Sequence, residues 1–231
     1  MDDHVSLQNI ASEMERSGAD IIGLQEVDRF LPRSDLKDQP AELARLLKMH
    51  VCYSPSEDRH NTSTTSAYIR DKDEKSGLNG QYGNAILSRF PITSHQFRYL
   101  PSDRERRSLL QTEIEINGHN VNFFCTHLGL DKAEQSVQIE TLIDVIKSTS
   151  GAMVLLGDFN MMPGNPLLTT LSAAIHKVPL QNNATTYAGN KDEIIEIDHI
   201  FTNLTLDKEL AWTQVTDASD HHPLLAQLRF A

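Results

Sequence analysis

The sequence predicts one α/β domain of the α+β kind, rich in antiparallel strands, over residues 1–231. Three observations predict it. Apolar residues recur at helical spacing at Leu7, Ile10, Ala11 and Met14, and again at Ile139, Leu142, Ile143 and Ile146. From 82 to 124 the pattern changes to short β-type runs, with Asn117-Gly118 between two of them as a hairpin signal. Two apolar runs, 20–24 and 152–156, read as buried strands. No repeat and no internal boundary divides the chain.

Taken in order, 6–17 is a helix that should stop at Gly18, and the strand 20–24 ends at Gln25-Glu26. A helix at 40–48 carries Pro40 in its first turn and Leu43, Leu46 and Leu47 on one face. The stretch 57–80 is polar and contains the charged run 70–75, which marks a surface insertion because strand-like sequence resumes directly after it. Strands follow around Ala85, Ile86 and Leu87, Ile92, Phe97, Leu109 and Leu110, Ile114 and Ile116, and at 121–124. Asp131 and Glu134 have capping-box spacing at the head of the helix that bears Ile139 to Ile146. A short helix at 165–174 and strands at 199–203, 210–216 and 224–230 complete the chain.

Composition narrows the function classes. Lys and Arg number 21 against 32 Asp and Glu, a formal net charge of −11, which argues against tight, sequence-independent DNA binding through a basic face. A local anionic-substrate site neutralised by metal ions remains compatible with that charge. Cys52 and Cys125 are the only cysteines, so neither a disulfide framework nor a cysteine zinc cluster is expected. The acidic start Met1-Asp2-Asp3-His4 carries no apolar run, and no apolar stretch approaches the ~18 residues of a membrane span. Together these predict a cytoplasmic protein without a membrane span, and no obligate protein partner is evident.

Polar residues with chemistry stand directly at the ends of apolar strands. Glu26 follows 21–24, His127 follows 121–124, and Asp158 and Asn160 follow 153–156. Asp198 precedes Ile200 and Phe201, while Asp220 and His221 precede the last strand. Strand ends meet on one rim in layered β structures, so such a set can hold a hard divalent cation and supply general acid and base groups. Each residue alone also reads as a solvated loop carboxylate, a cap or a structural imidazole, and His222 before Pro223 reads as packing or capping. By themselves these spacings describe a metal hydrolase without a substrate.

The strings around them, in order, are Leu24-Gln25-Glu26-Val27-Asp28, Tyr82-Gly83-Asn84-Ala85-Ile86-Leu87-Ser88-Arg89, Thr126-His127-Leu128, Gly157-Asp158-Phe159-Asn160, Ile197-Asp198-His199-Ile200-Phe201 and Ser219-Asp220-His221-His222-Pro223. This series resembles the endonuclease/exonuclease/phosphatase superfamily of DNase I-like metal-dependent phosphoesterases. The resemblance implies a four-layered sandwich, with two mixed β-sheets face to face and helices outside. It implies hydrolysis of a phosphodiester or phosphomonoester, as in a nuclease or a small-molecule or lipid-headgroup phosphatase, with Mg²⁺ (or Mn²⁺) and a phosphate-ester substrate.

By position, the resemblance makes Glu26 and Asp220 metal ligands and Asp158 the residue that orients or deprotonates the attacking water. Asn160 holds a phosphate oxygen, Asp198 orients His221, and His127 contacts the phosphate or assists the leaving group. Asn84 and Arg107 are expected to bind substrate, and the segments 57–80 and 104–107 to face it. A divalent cation is needed because charge develops at phosphorus and on the leaving oxygen.

The family's first central strand, which ends in an Asn ligand, has no counterpart here, and Asn9 lies inside the predicted first helix. The expectation is therefore that Met1 is internal and that the natural chain starts roughly 15–25 residues earlier, the length of one strand and its connection. The alternative is a catalytically impaired member that acts as a binding or scaffold protein.

Overall fold

Side chains alternate along β5 (Arg107–Ile116) and β6 (His119–His127), and that alternation builds the sandwich. Leu110, Ile114, Val121, Phe123 and Cys125 point to one face, Leu109 and Phe124 to the other. The structure, a computed structural model, describes residues 6–58, 80–181, 184–189, 194–207 and 210–229. The insertion expected at 57–80 therefore lies almost wholly outside the described residues.

The larger sheet has the order β4-β5-β6-β7-β9-β8, with β4 at Ile92–Leu100, β7 at Ala152–Asp158, β8 at His176–Lys177 and β9 at Asp198–Thr202. It is mixed: β6 and β7 run parallel, joined through helix α3 (Lys132–Ser148), and the other pairs are antiparallel. The smaller sheet is antiparallel in the order β1-β3-β2, from Ile21–Arg29, Gln81–Ser88 and His50–Asp58. Within it β1 pairs with β3 on one side and has no strand partner on the other among the described residues. Two short ladders close the chain: β10 (Thr205–Leu206) with β13 (Leu228–Arg229), and β11 (Trp212–Thr213) with β12 (Leu224–Leu225).

Three cores make four layers of this arrangement. Between the sheets, Cys52 and Ile86 meet Leu110, Ile114, Val121, Phe123, Cys125 and Val154. Outside the larger sheet, Phe124, Leu155 and Phe201 pack under α3 and α4 (Pro166–Ser172). Outside the smaller sheet, Val27, Ala85 and Leu87 pack under α1 (Leu7–Ser17) and α2 (Gln39–Leu47). Phe124 is fully buried in the second of these cores, so Phe124→Ala should cost about 3–5 kcal/mol in urea denaturation. A loss below about 1 kcal/mol would mean that α3 does not press on the sheet there.

Local chemistry sets the boundaries. Ser6 caps α1 through a bond from Asn9 N, and Gly18 ends the helix in the left-handed conformation. Asn117 and Gly118 both have positive φ, 53° and 82°, the geometry of a two-residue hairpin turn between β5 and β6. The capping box at α3 forms only in half. Asp131 accepts from Ala133 N and Glu134 N, but Glu134 turns outward to Ser102 Oγ and Asp103 N.

Four expected elements differ. The first strand does not end at Glu26 but continues to Arg29 across a bulge between Leu24 and Val27. The helix expected at 165–174 is Pro166–Ser172, because Asn165 serves as its cap. The strands expected at 210–216 and 224–230 shrink to two-residue ladders. Their apolar residues Ala211, Leu224 and Leu228 still pack on the inter-sheet core without a continuous ladder. No helix among the described residues is long and apolar enough to cross a membrane.

Candidate active site

Strand register assembles the centre. In the larger sheet His127 of β6 pairs with Asp158 of β7, and Asp158 pairs with Asp198 of β9, so the three side chains stand in a row across adjacent strands. The row depends on Gly157. Its φ is 146°, and a Cβ there would lie 1.9 Å from the Thr126 carbonyl oxygen, so only glycine lets β7 approach β6 at this point.

The row extends to His221, whose Nδ1 lies 2.8 Å from Asp198 Oδ2 and whose Nε2 lies 4.0 Å from Asp158 Oδ2. Thr186 Oγ1 accepts from the backbone N–H groups of Ile197 and Asp198, and the Tyr187 ring meets the His221 imidazole edge-on at 5.0 Å. Burial opposes the charged imidazole, but the Asp198 hydrogen bond and the charges of Asp198, Asp158 and Asp220 outweigh it and raise His221 to about 9. Burial and the Asp198 charge push Asp158 up to about 7, against the lowering effects of the Asn160 N–H and His221.

His127 behaves in the opposite way. Burial, then the charges of Arg107 and His221, lower it to about 3, so its imidazole is neutral. Arg107 Nη1 lies 3.0 Å from His127 Nδ1, and a guanidinium can only donate. Nδ1 therefore accepts, and Nε2 carries the proton, 3.5 Å from Asp158 Oδ2.

Glu26 faces this row from the smaller sheet. It sits in the β1 bulge with φ 59°, its side chain is 60% exposed, and Oε1 lies 3.7 Å from His127 Nδ1. The bulge turns a strand position toward the rim, at a backbone cost of roughly 1–3 kcal/mol. Tyr82 hydrogen-bonds Glu26, and Arg33 stacks over the Tyr82 ring at 5.1 Å while bonding Asp28. Asn160, also at positive φ, donates its backbone N–H to Asp158 Oδ1 and its Nδ2 to the Leu128 carbonyl.

The structure thus gathers Glu26, His127, Asp158, Asn160, Asp198 and His221. Asp220 stands beside them on an exposed turn, where its charge acts on His221. Two expected substrate contacts have other partners. Asn84 is 1% exposed and donates to Ser108 O and Oγ, which makes it a tie between the sheets. Arg107 is 5% exposed and spends its guanidinium on His127 and Glu105. His222 is buried and accepts from Thr216 N through Nδ1, as a packing residue does. Tyr82, Thr186 and Tyr187 carry no local signal of their roles, because each acts on a residue far away in sequence or on another sheet.

The donor set fits a divalent cation. Carboxylate oxygens of Asp158 and Asp198 lie within 4.8 Å of each other and of a His221 ring nitrogen, with the Glu26 carboxylate opposite, and the charged imidazole leaves the oxygens as the ligands. Close carboxylates raise one another's proton affinity, as Asp158 shows, and an oxygen-preferring cation relieves that repulsion. The Endonuclease/Exonuclease/phosphatase family profile matches residues 1–221.

The chain belongs to this family.

A UPF0294 protein of Vibrio cholerae is 31% identical over 147 residues, 61% of this chain and 46% of that protein. The chain thus spans about half the length of this curated relative. Among solved structures, the endonuclease/exonuclease/phosphatase from Beutenbergia cavernae matches with TM-score 0.80 and 22% identity, over 98% of this chain and 67% of that one. The Bacteroides thetaiotaomicron mannosyl-6-phosphatase Bt3783 matches with TM-score 0.69 and 17% identity, over 97% and 90%. These likenesses show the DNase I-like fold.

The shifted groups make metal-free stability depend on pH. His221, at about 9 in the fold against an ordinary 6.5, contributes stability that is complete below 6.5 and lost as pH rises through 9. Asp158, at about 7 against 3.8, also loses stability as pH rises over that interval. His127, at about 3, works against Asp158 up to about pH 6.5. In chelator the melting temperature should therefore fall between pH 6.5 and 9, and His221→Gln should flatten that fall. A slope unchanged by the variant would remove His221 as its source.

Proposed function

We propose that this family member hydrolyses a phosphate ester with the help of a divalent cation, Mg²⁺ or Mn²⁺. The observation that carries the reading is the register row His127–Asp158–Asp198, extended by the Asp198–His221 hydrogen bond of 2.8 Å and faced by Glu26. Glu26, with Asp220 from the rim turn, would hold the cation. When bound, the cation neutralises charge developing on the phosphate and the leaving oxygen.

The chain's own groups do the rest. A water that attacks phosphorus must lose a proton while the bond to the leaving oxygen breaks. Asp158, at about 7 without metal, accepts that proton, and a cation beside it would keep it ionised at neutral pH. His127 donates its Nε2–H without giving up a proton, which suits a phosphate oxygen. His221 is cationic at neutral pH, held by Asp198, and supplies positive charge to the pentacoordinate phosphate. The second N–H of the Asn160 amide is free of the Leu128 bond and can meet another phosphate oxygen.

The test begins with metal. Calorimetric titration with Mn²⁺ should show saturable binding that Glu26→Gln weakens by about 10–100-fold, the size of effect expected for a ligand or its direct support. A phosphoester panel, with and without chelator, then reads activity. It should include sugar monophosphates, since one structural neighbour is a mannosyl-6-phosphatase, and nucleic acids. Metal binding without hydrolysis of any panel member would favour the binding or scaffold reading. Absence of saturable binding would sink the metal-dependent mechanism for this chain.

A further inference from the structure

The polar face of α3 near its N-terminus is buried, which helices seldom permit unless each group has a partner. Gln135 is 3% exposed and Gln138 fully buried. Gln135 Nε2 donates to the carbonyls of Gly129 at 2.8 Å and of Asn160 at 3.1 Å. Gln138 accepts from Gly129 N at 2.9 Å and donates to the Pro101 carbonyl at 2.9 Å. Glu134 accepts from Ser102 Oγ and Asp103 N. One stretch of helix therefore holds the loops that follow β4, β6 and β7. A Cβ on Gly129 would lie 2.6 Å from Glu134 Oε2, which shows how closely the helix presses on this rim.

We propose that Gln135 is a positioning residue that sets Asn160, and through it the turn beyond Asp158, for contact with the substrate phosphate. The inference rests on the phosphate role proposed for Asn160. Asn160 has φ 53°, the left-handed region that asparagine enters more readily than most residues, and its neighbours hold it there. Several polar backbone groups of the turn have partners: Phe159 N donates to Ile197 O, and Asn160 N to Asp158 Oδ1. The Asn160 carbonyl receives Gln135, and His199 Nε2 lies 2.8 Å from the Met161 carbonyl. Gln135 is the one of these partners that comes from a helix outside the sheet. It also holds Gly129, next to the Leu128 carbonyl that the Asn160 side chain contacts.

Gln135→Met keeps the volume and removes both donated bonds, and Ser102→Ala removes a bond between α3 and the loop after β4 that touches neither Asn160 nor the Leu128–Gly129 peptide. In ¹⁵N–¹H spectra, Gln135→Met should collapse the Asn160 side-chain amide signals toward those of a free amide. It should also speed exchange of the Asn160 backbone N–H by about tenfold or more. Ser102→Ala should leave both unchanged while lowering stability. On a substrate found in the phosphoester panel, kcat should fall on the order of 100-fold for Gln135→Met and stay near wild type for Ser102→Ala. If Gln135→Met does not fold, Gln135→Asn, one methylene too short to span the gap, takes its place. Unmoved Asn160 signals, an equal response to Ser102→Ala, or a shifted Asn160 with normal turnover would each overturn the proposal. If the wild type hydrolyses nothing, the proposed function fails separately, and the spectra alone judge whether Gln135 positions Asn160.

Discussion

Asp158→Asn is expected to lower phosphoester turnover by roughly 10²–10⁴-fold, the range for a lost general base, with little loss of fold. The carboxylate stands at the middle of the row: His127 Nε2 is 3.5 Å away on one side and His221 Nε2 4.0 Å on the other, and Asn160 N–H donates to its other oxygen. An amide keeps the shape and can keep the Asn160 bond, but cannot accept a proton from water. The pH profile separates this from a purely structural effect. Wild-type turnover should rise with pH through a group that the bound cation draws below the metal-free value of about 7, and the variant should lose that limb. A variant within tenfold of wild type, with the limb intact, would move the base to another residue.

Gly157→Ala should destabilise the protein by about 4 kcal/mol or more, among the largest single-site effects expected outside the large apolar core positions. The new Cβ would meet the Thr126 carbonyl oxygen at 1.9 Å and its carbon at 2.9 Å, both backbone atoms that cannot step aside, and φ 146° is strained for any L-residue. Relief requires β7 to separate from β6, at the register pair that places Asp158 beside His127. Denaturant midpoints with a control at Gly151, which also has positive φ (87°) but nothing within 4 Å of the added Cβ, isolate the contact from the backbone preference. Equal losses at the two sites would show that β6 and β7 are not this close.

Much of the layer structure is legible along the chain because its causes are local. Helical spacing at Leu7 to Met14, the Asn117-Gly118 turn and the apolar run before Asp158 each act over a few residues, and the corresponding elements stand where that pattern places them. The bulge at Glu26 is not legible in this way: Gln25-Glu26 looks like a strand end, and only pairing with β3 reveals that the strand continues to Arg29. The same holds for Glu134. Its spacing from Asp131 suits a capping box, but Ser102 and Asp103, brought in by the preceding loop, compete for its carboxylate and win.

The chemistry of the centre divides along the same line. The sequence by itself determined the residue types and their order: carboxylates at 26, 158, 198 and 220, an amide at 160 and imidazoles at 127 and 221, each next to an apolar run. Only the tertiary structure decided what each is able to do. Register across β6, β7 and β9 puts His127, Asp158 and Asp198 side by side, although up to 71 residues separate them in the chain (198 − 127 = 71). Burial then makes His127 neutral and Asp158 a weak acid, while Asp198 keeps His221 charged. Arg107 and Asn84 turn inward to His127 and Ser108 for the same reason. A side chain's ionisation and its partners depend on which distant groups share its low-dielectric surroundings, and that is a property of packing rather than of neighbours in sequence.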